Sequence, residues 1–273
     1  MSFENPGAGT LEIPPCRYGT SKLLCRGPRR VPEKPYFAFL GDGETFGKFV
    51  ARPFASLIEL ATGQPCLNLG GSNAGIDAYL DDPTLLEIAA GAEISVVQAM
   101  GPQNLTNRYY RVHPRRNDRF LAPAAPLRAL FPELDFTEYN FNRHLLAGMR
   151  KISPHRCGDV ERHLKRCWCD RMQQLQARLG RPPLLLWLRY DGANPALLDR
   201  EMINALTPGL AGVVEVPVRP AGRAGEMLAM HYGPLQAPAA ARMIGPSAHQ
   251  AIAEALLRKM QTPPRSLSGT GLD

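Results

Sequence analysis

The short stretch FLGDGETFG, residues 39–47, contains two carboxylate side chains and one hydroxyl side chain. Asp42, Glu44 and Thr45 surround Gly43 there, directly after the apolar run of residues 36–40. A strand followed by a tight glycine-rich turn and a helix start is the layout in which α/β enzymes display a catalytic group. Because glycine has no side chain, Gly43 cannot supply a nucleophile. Asp42 or Glu44 could instead act as a general base for water.

Each of these residues also has a structural interpretation. Asp42 would stabilise the turn by accepting hydrogen bonds from nearby backbone N–H groups, and we favour this role. Thr45 would cap a helix N-terminus, since it could attack a substrate only if the turn were redrawn. His231, which follows the last predicted strand, is the best remaining general base. The candidate catalytic residues are therefore Asp42, Glu44, Thr45 and His231.

The chain around this stretch alternates between apolar runs and amphipathic segments, which predicts a mostly parallel sheet covered by helices on both faces. We predict a three-layer αβα fold with a five-stranded, flavodoxin-like sheet. The strands are expected at residues 36–40, 65–70, 93–100, 182–190 and 212–218. The helices are expected at residues 48–62, 74–90 with an interruption at 81–83, 195–206 and 247–260.

This pattern divides the chain into an N-terminal arm (1–35), an α/β domain in two parts (36–104 and 182–262), an arginine-rich helical insertion (105–181) and a flexible tail (263–273). The insertion shows no clear strand. Helices are expected in it at residues 126–131, 141–149 and 159–179. A segment of this size is typically a cap or an oligomer surface, so a homo-oligomer is one expectation.

Ligands bind beyond the carboxyl ends of the strands in such sheets, and two groups of polar residues follow those ends. The first offers backbone N–H groups and side-chain amides: Gly43, Gly71, Asn73, Gln103 and Asn104. The second belongs to NRYYRVHPRRNDRF, residues 107–120: Arg108, Arg111, His113, Arg115 and Arg116. Arginine holds planar oxyanions with two parallel hydrogen bonds. If this segment folds over the amides, the site would bind a nucleotide, a sulfated sugar or an acidic glycan. The alternative is a solvated basic surface that pairs with Asp118 or Glu138.

Composition narrows the class of protein. The net charge of +7 at pH 7 would suit a nucleic-acid binder, but no recognised nucleic-acid-binding motif accompanies it, so we do not favour one. The six cysteines lack the spacing of a disulfide scaffold, which favours a reducing cytoplasm. No apolar run approaches the roughly 20 residues of a membrane-spanning helix. No cofactor is predicted, and no metal either, because Cys167 and Cys169 diverge on the predicted helix while a structural zinc needs four ligands.

Four segments resemble, in order, the sequence blocks of the SGNH (GDSL) hydrolase superfamily. FLGDGETFG looks like the first block, G-D-S-x-T-x-G, with Gly43 in place of the nucleophilic serine. NLGGSNAG (68–75) resembles the second block, VVQAMGPQN (96–104) the third and GPSAHQAIAEALL (245–257) the last helix. In this register Met243 takes the position of the family's catalytic histidine and Ala240 that of its aspartate. The resemblance covers residues 36–104 and 182–260 and implies an SGNH-like scaffold without its catalytic triad.

Together these features predict an SGNH-like pseudoenzyme that binds an anionic glycan- or nucleotide-type ligand without serine-esterase activity. One alternative is an active transferase or hydrolase with a rearranged site, moving an acyl or sulfuryl group on a sugar. The other is an assembly component whose insertion docks a partner protein. The whole chain also resembles an uncharacterised alphaproteobacterial family that shares the segments GETFGKF and HPRRNDRF.

Overall fold

The computed structural model describes residues 13–191 and 197–261, and its strands match the expected sheet. They are β1 Phe37–Leu40, β2 Cys66–Asn68, β3 Ile94–Gln98, β4 Tyr110–His113, β5 Arg116–Pro123, β6 Leu184–Tyr190 and β7 Gly212–Val218. Five of them form one parallel sheet in the order β2-β1-β3-β6-β7. The predicted flavodoxin-like sheet is therefore confirmed.

Helices connect these strands and cover the sheet. They are α1 Gly43–Phe46, α2 Phe54–Thr62, α3 Ile76–Leu80, α4 Pro83–Gly91, α5 Ala125–Leu130, α6 Asn142–Ile152, α7 Pro154–Leu179, α8 Arg200–Leu206, α9 Ala221–Ala224, α10 Ala237–Ala240 and α11 Pro246–Gln261. None of the helices in the described ranges is both long enough and apolar enough to cross a membrane. All six cysteines are free thiols.

Each face of the sheet has its own apolar core, because successive strand residues point to opposite faces. Leu40 and Val97 pack with α3, α4, α7 and α8 on one face. Phe39 and Val96 pack with α2 and α11 on the other. The three predicted layers are therefore confirmed, with the core divided by the sheet.

The strand order reverses direction at β1. From β1 the chain first moves outward to β2 and then returns to β3 on the other side of β1. In open α/β sheets a ligand crevice forms at such a switch point, outside the carboxyl ends of the strands. The turn after β1 and the end of β3 therefore lie where this topology places a site.

The helix predicted at residues 48–62 is wrong in its start. The chain already turns into α1 at Gly43, and Gly47, with φ of 64°, ends that helix in the left-handed region. The next helix begins only after Pro53, which takes the N-cap position of α2. Proline suits a helix start because it has no N–H to leave unpaired. The interruption predicted at residues 81–83 is confirmed between α3 and α4.

The insertion is mainly helical, as predicted, but the expectation that it contains no strand is wrong. β4 and β5 form an antiparallel hairpin. Tyr110 and Val112 of β4 are buried and Arg111 between them is exposed, which is the two-residue period of a strand. The hairpin, α5, α6 and the first half of α7 share a separate apolar core.

The helix predicted at residues 195–206 begins later than expected. Asp199 accepts a hydrogen bond from the Met202 N–H at 2.9 Å and caps α8, whose first residue is Arg200. Residues 192–196, which include the predicted start of this helix, lie outside the described ranges. The tail predicted at 263–273 also lies outside them.

Candidate functional site

The last residues of three strands of the sheet, β2, β3 and β6, hold α1 by their side chains. Asn68 ends β2, Gln98 ends β3 and Tyr190 ends β6. Asn68 donates to the Thr45 carbonyl oxygen at 2.7 Å, and the Tyr190 hydroxyl donates to a carboxylate oxygen of Glu44 at 2.7 Å. Because parallel strands end at one edge of the sheet, polar residues in these positions meet at the same turn.

Gln98 makes the largest number of these contacts. Its Oε1 accepts from the Thr45 hydroxyl at 2.6 Å, from the Thr45 N–H at 3.2 Å and from the Asp42 N–H at 3.3 Å. Its Nε2 donates to Asp42 Oδ1 at 2.8 Å. Gln98 and Thr45 are 4% and 1% exposed. The Thr45 hydroxyl is therefore committed to Gln98 and faces no solvent.

Asp42 stabilises the turn, as predicted. Its Oδ1 accepts from the Glu44 N–H at 3.0 Å, which makes Asp42 the N-cap of α1. The prediction of Thr45 as the cap is wrong because Thr45 lies inside the helix. Burial raises the pKa of the Asp42 carboxyl, while the hydrogen bonds from Glu44 and Gln98 oppose that rise.

Glu44 is a buried carboxyl that ties three segments together. It is 7% exposed. Besides the bond from Tyr190, its other carboxylate oxygen accepts from the Ile244 N–H at 3.1 Å. Burial, followed by the charge of Asp42, raises the pKa of Glu44 to about 8. Glu44 is therefore largely protonated at neutral pH and links α1 to β6 and to the segment before α11.

Gly43 is covered on the side from which a side chain would project. A Cβ placed on Gly43 would lie 2.9 Å from the Ser72 carbonyl oxygen and 3.1 Å from the Met243 Cε. Met243 packs on a small apolar cluster that includes Phe49, Met230 and Tyr232. A methionine methyl group therefore occupies the space beside the position where the family resemblance places a serine.

Two of the groups predicted to face a ligand, the Gly71 N–H and the Asn104 side chain, are hydrogen-bonded within the protein. The Gly71 N–H donates to the Gly41 carbonyl oxygen at 3.0 Å, so it is not available to an oxyanion. Asn104 Oδ1 accepts from Asn142 Nδ2 at 3.1 Å. The Gln103 carbonyl oxygen accepts from the Tyr110 hydroxyl at 2.8 Å. Asn73 is half-buried in the turn after β2.

The arginine-rich hairpin docks beside this turn, on the start of α3. Asn117 Oδ1 accepts from the Gly75 N–H at 2.7 Å and from the Ala78 N–H at 3.2 Å. Asn142 Nδ2 donates to the Asn117 carbonyl oxygen at 2.6 Å and so fixes α6 to the hairpin. Within the described ranges, no hydrogen bond or ion pair joins the arginines of residues 107–120 to Asp42 or Glu44. The arrangement of these arginines over the amides stays a prediction.

The predicted basic residues instead point to different places. Arg108 stacks on the Tyr109 ring at 4.6 Å from its centroid. His113 Nδ1 accepts from the backbone N–H groups of Arg115 and Arg116 at 3.2 and 3.1 Å, so the imidazole stabilises the hairpin turn. Arg116 is exposed. Of the four predicted arginines, Arg111 and Arg115 line cavities.

His231, the other predicted general base, forms its hydrogen bond with a residue other than Asp42 and Glu44. Its N–H donates to the Phe49 carbonyl oxygen at 2.9 Å, and the residue is half-buried. Among the residues that the structure describes, its ring has no hydrogen bond to Asp42 or Glu44. The site therefore lacks a histidine–carboxylate pair.

A cavity with a volume of about 780 Å³, which we call the α3–α7 cavity, lies beside the hairpin. It lies between α3, α7 and the β4–β5 hairpin, and its lining includes Asp77, Arg111, Arg171 and Arg178. Asp77 accepts from Arg171 Nε at 3.1 Å and from the Thr106 N–H at 2.8 Å. Arg111 and Arg178 are exposed, and in the described part of the chain neither forms an ion pair. The cavity therefore presents two guanidinium groups that form no ion pair in the described residues, together with the exposed carboxylate of Asp81.

Among the described residues, the histidine and cysteine side chains of α7 form no metal site. Cys167 Sγ lies 3.2 Å from His163 Nε2, one turn away on α7. Within the residues that the structure describes, no three or more His, Cys, Asp or Glu side chains are placed to hold a metal ion. The contact is thus a thiol–imidazole hydrogen bond.

Sequence reasoning missed the strand-end residues Asn68, Gln98 and Tyr190. A partial signal existed, because each of these mainly apolar strands ends in a polar side chain, although Ser95 in β3 and Arg189 in β6 are polar as well. Arg171 and Arg178 were also missed, and they carry no such signal, since nothing local distinguishes them from other charged residues of a long helix.

Comparison of the chain with known protein families finds a match. The sequence model of a domain of unknown function (DUF6473) matches residues 1–263, which is most of the chain. No curated protein and no solved structure matches the chain significantly.

Proposed function

We propose that this chain, which belongs to the DUF6473 family, binds an anionic ligand in the α3–α7 cavity and does not hydrolyse esters by a serine route. The observation that carries this proposal is the convergence of Arg111, Arg171 and Arg178 on one cavity of about 780 Å³. That volume is within the range of small-molecule sites.

The charges in the cavity favour an anion. Asp77 is already neutralised by Arg171 and by the Thr106 N–H. Arg111 comes from the hairpin and Arg178 from the end of α7, so the two guanidinium groups approach from different elements. A planar oxyanion between them would gain charge-assisted hydrogen bonds from both.

The absence of a serine route is supported at the turn after β1. Gly43 has no nucleophile, and Met243 contacts it from the position that the SGNH resemblance gives to the catalytic histidine. The contact between positions 43 and 243 supports the register of that resemblance. Asp42, Glu44 and Thr45 all take part in the hydrogen bonds that hold the turn, which favours a structural role over general-base catalysis.

We expect no turnover of p-nitrophenyl acetate above the buffer rate, either for the protein or for Gly43→Ser. A serine at this position would find no base, and its Cβ would meet the Met243 methyl group and the Ser72 carbonyl oxygen. The release of p-nitrophenol at neutral pH is the measurement. Turnover that disappears in Asp42→Ala would contradict the proposal, since it would assign a base to that carboxylate.

Sulfate should raise the melting temperature of the protein more than chloride does at equal ionic strength. The double variant Arg111→Ala/Arg178→Ala should lose this difference, because ligand binding stabilises only the state that binds. Arg166→Ala is the matched control, since Arg166 is also exposed on α7 but does not line the cavity. An equal sulfate effect in the double variant and the control would contradict an anion site here.

A further inference from the structure

We propose that the α3–α7 cavity is one end of a longer groove, and that the groove binds a linear acidic oligosaccharide. This inference rests on the proposed function and names its ligand class. A second cavity of about 400 Å³, which we call the arm cavity, lies between the N-terminal arm, the α3–α4 corner and the hairpin turn. Asp81 and Pro114 line both cavities, so the two adjoin at that pair.

Basic residues line both cavities of this groove. Arg111 and Arg178 lie in the α3–α7 cavity, and Lys22 and Arg115 line the arm cavity. Lys22 and Arg115 are exposed, and no ion pair engages either of them in the described part of the chain. Cationic residues in both of the adjoining cavities match a ligand that carries more than one acidic group along its length.

The groove also has polar lining residues that are not cationic. Asp81, shared by the two cavities, is exposed. In the arm cavity Thr20 and Thr84 place their hydroxyl groups 2.9 Å apart. A protein carboxylate accepts hydrogen bonds from sugar hydroxyl groups, and protein hydroxyl groups both accept and donate them. A carboxylate repels a continuous polyanion. An acidic glycan carries both acidic groups and hydroxyl groups along its length. It therefore matches a groove that has both cationic and hydroxyl-binding positions.

The apolar lining argues against a nucleotide. The side chains that line the two cavities are aliphatic or polar, for example Leu80, Val112 and Leu121, and no aromatic ring lies among them. Proteins that bind single-stranded nucleic acid gain much of their affinity by stacking bases on aromatic rings. Of the anions considered from the sequence, the groove therefore fits the acidic glycan better than the nucleotide.

Titration calorimetry with oligogalacturonates of one to six units, at low salt, tests this inference. In the unaltered protein the hexamer should bind about tenfold more tightly than the dimer, because two further exposed charge contacts contribute about 1.4 kcal/mol together. Lys22→Ala/Arg115→Ala should remove that gain and keep the affinity for the dimer. Arg111→Ala/Arg178→Ala should weaken binding at every length by about tenfold, and Arg166→Ala should change neither.

The outcomes separate this inference from the function on which it rests. Equal affinity for dimer and hexamer, with both still dependent on Arg111 and Arg178, would overturn the long groove and leave the anion site. No uronate binding, with the sulfate effect on melting present, would overturn the glycan class alone. Loss of both signals would overturn both proposals. Hexathymidylate or hexaglutamate that binds as tightly as the hexamer would show recognition of charge alone and contradict the glycan class.

Discussion

Replacing Gln98 with leucine is expected to lower the free energy of unfolding by about 4 kcal/mol. Leucine keeps much of the volume of glutamine but offers no hydrogen bonds. The Thr45 hydroxyl, the Thr45 N–H and the Asp42 N–H would lose their shared acceptor, and Asp42 Oδ1 would lose one donor. Each buried polar group left without a partner costs about 1–3 kcal/mol. Urea unfolding at 25 °C measures the loss.

A second substitution tests whether the loss comes from this network. Thr45→Val removes the hydroxyl that donates to Gln98, so it should cost less in a Gln98→Leu background than in the unaltered protein. Gln173→Leu, at an exposed position on α7, is the control and should change stability by less than about 0.5 kcal/mol. Additive effects of Gln98→Leu and Thr45→Val would show that the two side chains do not act together.

Glu44→Gln is expected to make the protein more stable than the unaltered chain at pH 9. The pKa of Glu44 is about 8 in the folded state, against 4.5 for an ordinary glutamate. Between these two values the folded chain retains a proton that the unfolded chain releases, so the stability of the unaltered protein falls as pH rises. The fall ends above pH 8, when Glu44 is ionised in both states. A shift of this size corresponds to about 3–5 kcal/mol.

Glutamine suits the pocket because it resembles the protonated carboxyl. Its oxygen can accept from the Ile244 N–H, and its amide can donate to the Tyr190 oxygen. Unfolding measured from pH 5 to pH 9 should give a flatter profile for Glu44→Gln than for the unaltered protein. Glu254→Gln, on the exposed side of α11, is the control, and its profile should follow that of the unaltered chain. Parallel profiles for Glu44→Gln and the unaltered protein would show that Glu44 does not titrate in this way.

The sheet could be predicted from the sequence because its strands are short, mainly apolar runs, which are typical of buried strands. β7 is predicted at its observed bounds, and β1 and β3 differ by one or two residues at an end. β4 was missed because Arg111 and His113, which alternate with its buried residues, suggested a charged surface. α2 was started too early because its apolar spacing continues upstream through Phe49 and Val50, although Pro53 interrupts the helix.

The site could be predicted only where its residues are consecutive. Asp42 and Glu44 stand in one conspicuous stretch, so their position at the carboxyl end of a strand was expected. Their partners come from far along the chain, since Gln98 is 56 residues from Asp42 and Tyr190 is 146 residues from Glu44. Only the strand order brings such residues together. The cavity depends in the same way on α7, whose packing against α3 no local pattern reveals.

The contact between Met243 and Gly43 constrains the order in which this protein could change during evolution. A serine introduced at residue 43 would meet the thioether methyl group before it met any base. A smaller residue at position 243 would make room for it but leave a void beside Phe49 and Tyr232. The Ser72 carbonyl oxygen, 2.9 Å from the same Cβ, would still have to shift. Placing a serine in this turn would therefore require passage through a less stable intermediate.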